Sequence, residues 1–74
     1  MTFREYIKAR RITDTPAGEF TKDARADGRL RDVQSWPELR RYLQKSGATP
    51  AAIAAGHIVW KGYRAALKAQ GAQT

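Results

Sequence analysis

Cysteine is absent from the 74 residues, and histidine occurs once, at His57. Without cysteine neither disulfides nor thiolate metal sites can hold the fold together. A metal centre built from one histidine and scattered carboxylates has no ligand spacing behind it. Glycine-rich phosphate loops of the Walker or dinucleotide kind are missing. So is any apolar run near the ~20 residues that a membrane span requires. The opening Met1-Thr2-Phe3-Arg4-Glu5 lacks the apolar stretch of a secretory signal. No Ser/His/Asp arrangement is supported, because no acid follows Glu38 and His57 stands by itself. The expectation is a soluble cytoplasmic protein that is not an enzyme, with no catalytic residues, no metal, no cofactor and no membrane contact.

What is present is charge of one sign, unevenly placed. The net charge is +7. All seven acids fall in residues 1–38, among eight bases, whereas residues 39–74 carry Arg40, Arg41, Lys45, Lys61, Arg64 and Lys68 with no acid. A one-sided basic surface attracts phosphate or an acidic protein. The same cations would also serve as a solvated face whose long stems cover apolar surface.

Four helices can be placed from local signals, in one domain over residues 1–69. Thr2-Phe3-Arg4-Glu5 has the form of a capping box. It starts a helix that presents Phe3, Tyr6, Ile7 and the stem of Arg10 on one face and fades near Ile12. Thr15-Pro16 starts a second helix, with Phe20 and Ala24 inward and Gly28 as terminator. Leu30 and Val33 plug the core from the connection. Ser35-Trp36-Pro37-Glu38 is another capping box, opening a helix with Leu39, Tyr42 and Leu43 inward and Gly47 as its stop. Thr49-Pro50 starts the last and longest helix, to about Ala69, and residues 70–74 are expected to fray. On that helix Ile53, Gly56, Val59, Trp60, Tyr63 and Leu67 form a broad apolar face. His57, Lys61, Arg64 and Lys68 form a narrow basic stripe beside it. Ala54, Ala55, Ile58, Gly62, Ala65, Ala66 and Ala69 fill the remaining arc, so little of the helix is polar and it should pack on two sides. The aromatics occupy core positions, which argues against stacking platforms for single-stranded bases.

Phe3-x-x-Tyr6-Ile7 with Arg11, Phe20 with Ala24 and Asp27, Glu38-Leu39-x-x-Tyr42-Leu43 and Trp60-x-x-Tyr63 together resemble the YozE-like family of small bacterial proteins. The match runs from Phe3 to Tyr63. The resemblance implies an all-α, sterile-alpha-motif-like (SAM-like) fold and no established activity or site residues. Two positions depart from the family pattern. Leu30-Arg31 stands where the family tends to have Phe-Pro, and Gly56 where it tends to have an aromatic. Ile53, Trp36 or Val33 is expected to fill the space this leaves.

The reading is therefore a single small bundle of four main helices centred on Trp60. Its expected role is non-enzymatic binding of nucleic acid, without sequence specificity, through Arg40, Arg41, Lys45, Lys61, Arg64 and Lys68. These six make one patch if the third and fourth helices are neighbours. The alternative is a protein-interaction module that uses the Ala/Gly face of the last helix or binds an acidic protein.

Overall fold

Local capping chemistry starts every helix of the chain. The structure, a computed structural model, describes residues 1–30 and 32–72. Helix α1 spans Phe3–Ala9, α2 Pro16–Ala26, α3 Trp36–Lys45 and α4 Pro50–Ala72, an all-α bundle of four helices. Thr2 and Glu5 form a complete capping box at α1. Thr15 Oγ1 accepts from the Gly18 amide with Pro16 in the first turn of α2, and Thr49 Oγ1 accepts from Ala52 at α4. At α3 the box is modified. Ser35 Oγ accepts from the Glu38 amide at 3.3 Å, but the Glu38 carboxylate reaches back to the Gln34 amide instead of that of Ser35. Glu38 thereby fixes the chain one residue ahead of the cap.

Helix ends depend more on distant residues. Gly47, with φ +79°, closes α3 in a conformation that costs a side-chain-bearing residue energy. The Ala48 amide bonds to Leu43 O and the Gly47 amide to Gln44 O, which is the Schellman pattern. By contrast α1 stops at Ala9, short of Ile12, and Arg10 turns to extended backbone at ψ 137°. The Arg25 guanidinium on α2 donates to Ile7 O at 3.1 Å and Arg10 O at 2.6 Å, taking carbonyls that another turn would have used. Gly28 does not end α2 in a left-handed conformation, since Gly47 has the positive φ. The C-cap of α2 is Asp27, whose carboxylate accepts from the Arg29 amide and the Tyr42 hydroxyl. At its far end α4 continues through Gln70 to Ala72, where a frayed tail was expected. Gln73 and Thr74, like Arg31 in the connection, lie outside the described residues.

The core lies where the two ends of the chain meet. Phe3, Ile7, Leu39 and Val59 are fully buried, with Phe20, Leu30, Val33, Leu43, Trp60 and Tyr63 nearly so. The Phe3 ring sits 5.1 Å from that of Trp60 and 5.3 Å from that of Tyr63, and Tyr6 lies 5.6 Å from Tyr63. Tyr63 Oη also donates to Met1 O at 3.1 Å, across 62 residues of chain. A Cβ at Gly62 would stand 2.5 Å from Tyr6 Oη, so this glycine seats α1 against α4. Gly56 is buried, and a Cβ there would lie 3.0 Å from both Leu43 Cδ1 and Phe20 Cε2. The side chains nearest to Gly56 are thus Phe20 and Leu43, while Val33 is in the core and Ile53 and Trp36 pack against it. Leu30 and Val33 are buried from the α2–α3 connection as expected. That connection is tied to α1 through Asp32 Oδ1, which accepts from the Arg4 amide at 3.1 Å. Thr21, fully buried, is satisfied by Ala17 O and by Arg10 Nη1.

Candidate nucleic-acid interface

The six second-half cations are placed by two helices that do lie side by side. Helix α3 rests on the first half of α4. Leu43 fills the notch at Gly56, and Trp36 stacks on His57 with centroids 4.4 Å apart and planes within 19°. His57 therefore belongs to the α3–α4 contact, half-buried under an indole, more than to the basic stripe. Beyond that contact α4 continues for 15 residues to Ala72, past the end of α3. At 1.5 Å per residue, Lys61, Arg64 and Lys68 lie from about 6 Å to about 16 Å farther along the helix than His57.

Arg40, Arg41, Lys45, Lys61, Arg64 and Lys68 are all exposed. The acids that were candidates to neutralise them have other partners or other positions. Asp27 binds Tyr42 and the Arg29 amide, Asp32 binds the Arg4 amide, and Asp23 is exposed along the side of α2 that faces α3 and the start of α4. Among the described bases of the first half, Arg10 is bonded to Thr21 and Arg25 to the end of α1. Among the described residues, no such bond involves the six.

Four of these cations line two separate surface depressions, and Arg40 and Lys61 line neither. Arg41 and Lys45 share a surface depression of about 300 Å³ with Arg29, Val33, Glu38 and Tyr42. Arg64 and Lys68 flank another, with Ala65 and Leu67 and no carboxylate. Glu38 offsets charge in the first place; among the described residues no acid lines the second. The Arg64 and Lys68 group is consequently the more strongly positive of the two.

Two shifted acids lie away from this group. Asp27 titrates below its ordinary range because the Tyr42 hydroxyl and then the Arg29 amide bind its carboxylate. Tyr42 is raised by the same hydrogen bond and by burial. The sequence reading missed this link, which joins the α2 C-cap to α3; its only signal was the choice of Tyr over Phe at a core position. Among the described residues no cluster of three or more His, Cys, Asp or Glu is placed to hold a metal, and no helix is long and apolar enough to cross a membrane. Compared with family models, curated proteins and solved structures, the chain shows no match.

Proposed function

We propose that this chain is a small non-enzymatic binding protein of the cytoplasm, SAM-like in kind as its resemblance to the YozE-like family implies. Its ligand is nucleic acid, bound without sequence preference. The observation that carries the reading is the acid-free ridge of Lys61, Arg64 and Lys68 on the half of α4 beyond α3, with all three side chains exposed. Arg41 and Lys45 add a second contact, partly offset by Glu38, and Arg40 is exposed on the same helix. Titration with generic DNA and RNA at two salt concentrations tests it. If about three phosphates are neutralised, log K falls against log salt with a slope of about −3. Lys61→Glu with Arg64→Glu abolishes binding at unchanged helical content. Arg41→Glu with Lys45→Glu weakens it less. Absence of binding at low salt sinks the reading.

Protein interaction is the second reading, favoured by one observation. Ile58 is 57% exposed on the outer arc of α4, beside exposed Ala54 and Ala65. The inner part of that arc is already covered, since Gly62 holds Tyr6.

A further inference from the structure

Three of the seven acids are aligned on one element. Glu19, Asp23 and Asp27 follow one another at intervals of four along the side of α2 that faces α3 and the start of α4. That interval keeps them on one stripe, about 6 Å apart at each step. Between this stripe and the opposite wall lie two adjoining cavities of about 320 Å³ and about 290 Å³, which share Phe20, Asp23 and Ala52. The floor is apolar: Phe20, Ala24, Leu30, Leu43 and Ala55. Every charged residue lining either cavity is an acid, in a protein whose net charge is +7. The Tyr42 hydroxyl and the Arg29 amide keep Asp27 in its charged form.

We propose that this groove docks a helical segment of a partner protein that carries lysine or arginine at every fourth position beside an apolar face. Charge complementarity selects the occupant. A groove walled by three carboxylates along about 12 Å of helix matches cations one turn apart on a facing helix, while its apolar floor takes the leucine-like side chains between them. Flexible stems let the cations reach the rim as their methylenes cover apolar surface. Long-range repulsion works against any cationic ligand of so basic a protein. Binding of such a segment therefore reports the groove and not general charge attraction. This site is separate from the α4 ridge and takes a ligand of opposite charge.

The test is fluorescence anisotropy of a short synthetic helix, with lysine at every fourth position beside a leucine face, titrated with the full chain. Saturable binding is expected, with amide shifts centred on Phe20, Ala24 and Ala52. Glu19→Lys with Asp23→Lys, two exposed sites whose folding is checked by helical content, weakens it by at least about tenfold. Asp14→Lys, in the α1–α2 loop, leaves it unchanged. Nucleic-acid binding is not weakened by the double reversal, so failure here and failure of the ridge are told apart. Equal binding by the double variant overturns the proposal, as does equal affinity for the same helix with glutamate in place of lysine. Self-association of the chain that the double variant abolishes also overturns it, for the occupant is then a second copy.

Discussion

Trp60 touches both of the rings that surround it, Phe3 and Tyr63, each at 5.1 Å between centroids. Trp60→Ala empties the meeting point of α1 and α4 and should cost about 3–5 kcal/mol. A domain of this size has little more than that to lose, so the expected result is loss of the cooperative thermal transition; a midpoint close to the parent's would contradict it. Gly18 sets a different kind of limit. A Cβ there would stand 1.8 Å from Thr13 O, an atom of the backbone that cannot swing aside. Gly18→Ala therefore forces the α1–α2 loop off the start of α2, at a cost in the overpacking range of about 1–3 kcal/mol or more, measured as a fall in urea midpoint. Sequence periodicity found Trp60 because its burial follows from its own helix. It was silent on Gly18, whose constraint comes from five residues upstream in a loop without period.

At the scale of elements, starts were legible and ends were not. Four start signals lie within three residues of the helix they begin, so Thr2, Thr15, Ser35 and Thr49 could be read directly. Ser35→Ala is expected to cost about 0.5–2 kcal/mol, seen by chemical denaturation. The end of α1 depends on Arg25 of another helix, and that of α2 on Tyr42 of a third. Neither partner is visible in a local pattern. The Asp27–Tyr42 bond also gives the α2–α3 junction a dependence on pH. Asp27 is depressed in the folded state, so its contribution is present above the ordinary carboxylate range near ~3.9 and lost as pH falls through the folded value. Tyr42 is raised, so its contribution is present below ~10 and lost as pH rises through its folded value. Urea midpoints of the parent and of Tyr42→Phe should differ at neutral pH and converge in strong acid.

At the scale of the molecule, the segregation of charge was legible and its geometry was not. Counting residues shows that no acid follows Glu38, and exposure of the six cations follows from helix periodicity. Their division into two places depends on α4 running 23 residues against the 10 of α3, and on Trp36 covering His57. Those are relations between elements, which local patterns do not carry. The joining of the first helix to the last has a consequence in time. The Phe3 side chain finds its cover in Trp60 and Tyr63, and Met1 O finds Tyr63 Oη. A ribosome adding 5–20 residues per second needs about 3–11 s to go from Phe3 to Trp60. For that interval α1 has α2 beside it but no cover for Phe3, and a helix of seven residues is too short to persist in water by itself. The first residues made are thus among the last to be ordered. A chain stalled before Val59 should show no protected core by hydrogen exchange, and release of the remaining α4 should order both ends of the protein in one step.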